Sequence, residues 1–326
     1  MNRRTTTILA LFFVTAIPAV AQDAASLDFK QSEKPHYFNH LSIGVNVGTT
    51  GIGFELNSNV CDWLNLRAGF DFVPHFTYDM KFHIQVGDYI ESKYDVDGNR
   101  VETRFDRMAD YMKQLTGLTV NDEIDMVGEP HFNNFKFIAD IYPFRNKRWY
   151  FSAGFYWSSS KIGRAYNTTA DMSSLLAVSI YNNIYNKVMN EEDIIEGIAL
   201  PPDICDRFAA YGPMGMHVGD FKSDGTKYMM VPGDDNMVRA NLQVNAFKPY
   251  FGAGYSGNIS RDGRLTFAVN AGILLWGGRP KIMLHDGVEM ISELDNIWGQ
   301  VGHYVDIVRP FSVYPMLNAS LSYRLF

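Results

Sequence analysis

Long stretches of the chain alternate strictly between apolar and small or polar residues, a period of two that predicts half-lipid, half-lumen β-strands. Leu41, Ile43, Val45 and Val47 alternate with Ser42, Gly44, Asn46 and Gly48. Ile52, Phe54 and Leu56 follow against Gly53, Glu55 and Asn57, and then Leu64 to Phe72 against Asn65, Arg67, Gly69 and Asp71. The same pattern returns at Phe135–Tyr142, Trp149–Trp157, Phe251–Ser256, Leu265–Leu275 and Leu317–Leu325. Half-buried strands of soluble sandwiches alternate too, so the connections supply the second test. Counted from a periplasmic N-terminus, the second, fourth and sixth connections are tight: Asn59-Val60-Cys61-Asp62, Arg145-Asn146-Lys147 and Ser260-Arg261-Asp262-Gly263. The third, fifth and seventh run to about 60, 90 and 40 residues. Short turns on one side and long loops on the other are the signature of a bacterial membrane barrel.

The expected fold class is therefore an all-β transmembrane barrel of about eight antiparallel strands with long, partly helical extracellular loops. Ten strands is the alternative. It arises because Phe76, Tyr78, Met80, Phe82, Ile84 and Val86 continue the third strand past Pro74, while Val238, Ala240, Leu242, Val244 and Ala246 alternate ahead of Lys248-Pro249. Both are read as strands rising above the membrane with a bend at the proline. Loops are expected near 74–133, 159–248 and 277–314 within a barrel domain of 40–326.

No stretch carries the 18 or so consecutive apolar residues of a spanning helix. At the N-terminus, Arg3-Arg4, the apolar run Ile8–Ile17 and Ala19-Val20-Ala21 read as a signal peptide over 1–21, followed by a periplasmic segment at 22–39. Of 326 residues 14% are aromatic, and the net charge of −7 argues against nucleic acid as a partner. The expected location is the cell outer membrane and the expected surroundings its lipid.

Phe247-Lys248-Pro249-Tyr250-Phe251-Gly252-Ala253-Gly254-Tyr255, then Phe267–Gly272 and Gly278-Arg279-Pro280-Lys281, and the ending Tyr314-Pro315 through Leu321-Ser322-Tyr323-Arg324-Leu325-Phe326 form a set of segments that resembles small OmpA/OmpW-like outer-membrane barrels. Ile138–Phe144 followed by Phe151–Gly154 is similar to that family's fourth and fifth strands. The resemblance covers the strands and not the loops. It implies an outer-membrane location and a C-terminal signal, Tyr323 and Phe326, read by the barrel assembly machinery. Here Leu325 is inserted, which puts Phe326 on the opposite parity from the lipid-facing set.

Strand parity points six charged residues inward: Glu55, Asp71 and Asp140 against Arg67, Lys136 and Arg324. An eight-strand lumen is just wide enough for side chains to fill. A salt-bridged plug is the expected meaning, with a narrow water-filled channel as the alternative. In the loops, Leu176, Ile180, Ile184 and Val188, then Ile291, Leu294, Trp298, Val301, Val305 and Val308, and less strongly Phe105, Met108, Met112 and Leu115, follow helical stripes. Asp97-Gly98 and Ser223-Asp224-Gly225 are hairpin signals. Helical loops on a rigid barrel predict an external cap.

Chemistry is sparse. Asp95, Asp97 and Asn99 lack the glycine that a calcium loop needs, since Arg100 stands there. Asp71 and His75 offer an acid–base pair without a nucleophile, the only basis for an outer-membrane hydrolase or lipid-modifying enzyme. His131, His217, His285 and His303 are scattered without metal-ligand spacing, and Cys61 and Cys205 fall on opposite sides of the membrane. No catalytic residue, cofactor or metal is expected. The functional expectation is a non-enzymatic barrel whose cap binds an extracellular ligand or another envelope protein, with a small-solute channel as the alternative.

Overall fold

The computed structural model describes residues 40–87, 91–193, 201–297 and 299–325. The expected signal peptide, the 22–39 segment, Trp298 and Phe326 lie outside them.

In chain order the strands are β1 (Leu41–Gly48), β2 (Gly51–Cys61), β3 (Leu64–Phe72), β4 (Tyr78–His83), β5 (Gln85–Val86) and β6 (Glu123–Pro130). They continue with β7 (Asn134–Ile141), β8 (Trp149–Ser158), β9 (Lys161–Asn167), β10 (Met214–Phe221), β11 (Lys227–Met230) and β12 (Arg239–Gln243). The last five are β13 (Phe247–Asn258), β14 (Leu265–Leu274), β15 (Lys281–Leu284), β16 (Leu294–Asp295) and β17 (Tyr314–Arg324). The helices are α1 (Arg104–Thr116), α2 (Met172–Met189), α3 (Pro202–Tyr211), α4 (Met290–Glu293) and α5 (Gly299–Val308).

Eight strands close a barrel in the order β1-β17-β14-β13-β8-β7-β3-β2. Every neighbouring pair is antiparallel, and the seam closes by pairing Val45 with Leu321 and Asn46 with Ser320. Closure leaves no edge, the condition for a sheet to cross hydrocarbon. The alternation works as its period demands: Val45, Phe54, Phe151, Val269 and Leu317 are exposed on the outer wall, while Asn46, Glu55, Ser152, Asn270 and Asn318 are buried inside. Aromatic residues stand at both ends of this apolar band, Trp63, Phe144, Trp149 and Tyr323 by the short turns and Trp157, Phe247 and Phe76 by the long loops, where lipid headgroups meet water.

Eight strands, not ten, cross the barrel. The two proline-linked continuations belong to a second sheet, order β15-β12-β9-β6-β4, standing above the wall. Its strands carry β14, β13, β8, β7 and β3 upward, and the ladder persists through the junction: Ser158 N donates to Ala246 O at 3.1 Å and Val244 N to Ser160 O at 2.9 Å. β1, β2 and β17 stop at the rim. A smaller sheet of β11, β10 and β16, with β5 on β10, completes the cap.

The largest apolar core lies in this cap and not in the barrel. Met112, Ile124, Leu175, Tyr181, Met214, Val238, Leu284 and Leu294 are among its buried members. α1 starts at a capping box, in which Thr103 Oγ1 accepts from Asp106 N (3.1 Å) and Asp106 Oδ2 accepts from Thr103 N (2.9 Å). It stops at Gly117, whose φ of 77° only glycine adopts readily. α2 is tied down by Asn182, which exchanges hydrogen bonds with both backbone groups of Met214 (2.6 and 2.9 Å).

Two helical expectations need correction. α2 buries Leu175, Val178, Tyr181 and Ile184, with Ile180 and Val188 packed beside them, whereas Leu176 is exposed, so the face is centred to one side of the stripe read in the sequence and excludes its first residue. The stripe from Ile291 to Val308 is not one helix: α4 ends at Glu293, Leu294 pairs with Phe221 as β16, and positive φ at Asn296 and Gly299 turns the chain before α5. Both hairpin signals form turns, with Gly98 and Gly225 at positive φ.

Candidate functional site: an occluded lumen beneath a folded cap

Midway up the barrel, five of the six inward charges form one chain of contacts. Asp71 accepts from Lys136 Nζ at 2.8 Å, and the same ammonium lies 3.2 Å from Glu55. Glu55 lies 3.6 Å from Arg67, which closes on Asp140 through Nε (2.6 Å) and Nη2 (2.9 Å). Neutral groups complete the network. Asn46 and Thr50 each donate to Asp71 at 2.9 Å, Ser152 Oγ donates to Asp140 at 2.7 Å, and Asn270 Nδ2 reaches Ser152 at 3.1 Å. These strands meet here because register fixes height: Arg67 pairs with Ile138 and Lys136 with Gly69. Buried charges persist when paired; Glu55 is held by charge alone, since neither of its carboxylate oxygens accepts a hydrogen bond although Lys136 and Arg67 stand within ion-pair distance.

Arg324 does not join them. It sits at the last residue of β17, and its Nη2 donates to the Asp262 carbonyl at 3.3 Å in the short turn. Parity aimed it at the lumen side, but parity carries no information on height. The ring therefore holds three carboxylates and two cations.

Directly above lies an apolar layer of Ile138, Tyr156, Tyr250, Leu274 and Met316, all buried. Tyr156 and Tyr250 meet edge to face at 5.7 Å, and the Tyr250 hydroxyl donates to Asn270, which links this layer to the ionic ring. A third layer at the rim comprises Phe132, Ile162, Val244 and Trp276. Below the ring the lumen opens into a polar vestibule of about 810 Å³, lined by residues such as Asn57, Asn65, Arg67, Asp140 and Tyr150. The inward tyrosines were visible in the sequence only as parity. What makes room for them is glycine: a Cβ at Gly254 would collide with the Tyr150 ring.

Asp71 and His75 do not act on one another. Asp71 is fully buried in the ring, while the His75 side chain is 76% exposed and lies 3.4 Å from Glu129. Glu129 belongs to the cap sheet, where Tyr166 Oη (2.7 Å) and Arg164 Nε (2.6 Å) both donate to it. The Tyr166 bond, then the Arg164 bond, hold its carboxyl below the usual range. In the cap, burial and the Asp286 carboxylate push the Tyr228 phenol far up. Cys61 ends β2 and Cys205 lies in α3, so no bridge joins them. Among the described residues no group of three His, Cys, Asp or Glu side chains is arranged to hold a metal ion. Tyr323 faces outward, 45% exposed.

No protein-family model matches this sequence, and no curated protein matches it. Among solved structures it is similar to CarO2 of Acinetobacter baumannii at 12% identity, TM-score 0.38, over 89% of this chain and 100% of that one. It is also similar to CarO of the same organism (13%, 0.35, 87% and 97%). A major outer membrane protein from Thermus thermophilus follows (13%, 0.23, 88% and 98%). The class is decided by closure of the sheet and its lipid-facing exterior. This is an eight-stranded outer-membrane β-barrel. In the barrel the short-turn end is periplasmic and the capped end external.

Proposed function

We propose that this barrel is a non-enzymatic, non-conducting scaffold that presents its folded cap to a partner outside the cell, either a surface ligand or another envelope protein. The observation that carries the reading is the sealed lumen: an ion-paired ring, a tyrosine layer and a rim cluster stacked in sequence. A pore has no use for three successive plugs. A rigid stalk has, because the bidentate Arg67–Asp140 pair and the hydrogen-bonded Lys136–Asp71 pair hold facing strands in one arrangement. The cap's own apolar core supports the same reading, since loops that only tether strands do not bury residues such as Tyr181 and Met112 completely.

The test is electrical. Full-length protein incorporated into planar bilayers is expected to give no reproducible stepwise current at either polarity. A stable ohmic conductance in every insertion would sink the reading and favour the second one, a gated route for small solutes. That alternative draws on the vestibule, a polar cavity that reaches up to Glu55, Arg67 and Asp140 of the ionic ring.

A further inference from the structure

The outward face of the cap sheet carries a basic patch on an otherwise acidic chain. Gln243 of β12 stands opposite Lys161 of β9 on one side and Lys281 of β15 on the other, so all three share one face. Two interstrand spacings put the lysines roughly 10 Å apart. Arg279 precedes Lys281 in the turn that leaves the barrel and is exposed, as are both lysines. None of the three has an ion-pair partner among the described residues, whereas Arg164 and Arg239 on the same sheet are matched by Glu129 and Asp235. At the β9–β12–β15 end of the face three cations thus stand without a carboxylate, within a protein of net charge −7, while the acidic Asp125 and Asp79 of the same face lie on β6 and β4. A free-standing surface gains nothing from such an excess, and repulsion among the cations works against it.

The height of the patch says what it faces. Trp157 and Phe247 are paired lipid-exposed aromatics at the external end of the apolar band. Lys161 follows Trp157 by four residues, with a break at Ser159–Ser160 between β8 and β9; with the usual barrel tilt this places it at most about 10 Å above that ring. Side chains there lie in the headgroup layer, where the available anions are lipid phosphates. Lysine and arginine engage such groups by charge and by their N–H donors.

We propose that the outward face of β9, β12 and β15 binds the phosphate groups of outer-leaflet lipid, with Lys161, Arg279 and Lys281 as the contacting cations and Gln243 as a neutral donor between them.

The test uses detergent-purified full-length protein titrated with diphosphorylated lipid A, with bound lipid counted by native mass spectrometry. Lys161→Gln, Arg279→Gln and Lys281→Gln together are expected to weaken retention by about fivefold for each charge removed. A charge-matched control, Lys113→Gln with Arg207→Gln and Lys227→Gln elsewhere on the cap, is expected to retain lipid A as the parent does. Dephosphorylated lipid A is expected to bind the parent and the patch variant alike. Equal retention by parent and patch variant would overturn the proposal, and so would equal loss in the control. Complete displacement of lipid A by millimolar inorganic phosphate would also overturn it, by showing a free-anion site in place of a lipid one. Each variant is accepted for comparison when it keeps the parent's heat-dependent gel shift.

Discussion

Arg67 grips Asp140 through two near-parallel hydrogen bonds, of 2.6 and 2.9 Å, inside the barrel. The guanidinium fork matches the carboxylate in a way that a lysine ammonium does not. Asp140→Asn leaves Arg67 with Glu55, at 3.6 Å, as its one remaining carboxylate. The expected cost is roughly 2–4 kcal/mol, the range for removing one partner of a buried pair, here reduced by water in the vestibule. Urea unfolding of the refolded barrel in lipid vesicles measures it. Arg67→Lys is expected to lose most of the same stability although it keeps the charge, and a variant as stable as the parent would refute the bidentate account.

Gly254 and Tyr150 share one volume, since a side chain on the first would occupy the ring of the second. Gly254→Val is therefore expected to slow barrel closure and to leave a fraction of the protein unshifted on unheated gels. Gly254→Val with Tyr150→Ala should regain the folded band. If the double variant folds no better than the single, the collision is not the cause.

The cap has a core that the barrel does not share. Leu175→Ala removes a fully buried side chain from it, at an expected cost of roughly 2–4 kcal/mol. The predicted outcome is a protease-sensitive cap on an intact barrel, read as early cleavage within 159–246 while the heat-dependent gel shift persists. Simultaneous loss of both would mean that cap and barrel unfold as one unit.

Glu289 gives the cap a pH dependence. Burial pushes its carboxyl up, but the hydrogen bonds from Ser292, Ile282 and Ile291 outweigh this and hold it below the ordinary 4.5. A folded value below the unfolded one means that its contribution is present above about 4.5 and is lost as pH falls through the folded value. Protease resistance of the cap should accordingly decline on acidification below pH 4.5. Glu289→Gln should make that decline shallower and lower the resistance at pH 7. An unchanged acid profile in the variant would remove Glu289 from the account.

The strands were legible because lipid imposes one rule on every second residue, and Val45, Phe54 and Phe151 obey it whatever lies around them. The loops answer to no such outside phase. Ile291 and Val308 share a helical phase in the sequence, yet the turn at Asn296 to Gly299 puts them on different helices. Likewise Leu176 fits the stripe but faces water, since the position of β10, set by Asn182 and Met214, decides which side of α2 is covered. Arg324 shows a third kind of loss. Its side of the strand was readable, but its depth depends on where the strand ends. The Lys161–Gln243–Lys281 row could not be read at all, because three distant segments meet only once the wall is built.

The wall of the barrel continues into the cap along five strands and stops short along three. A domain joined by a swivel would sample many bearings and recognise a partner in whichever suited. This one inherits its compass heading from the cylinder beneath it, so rotation of the whole molecule in the bilayer is the only way it can turn to meet anything.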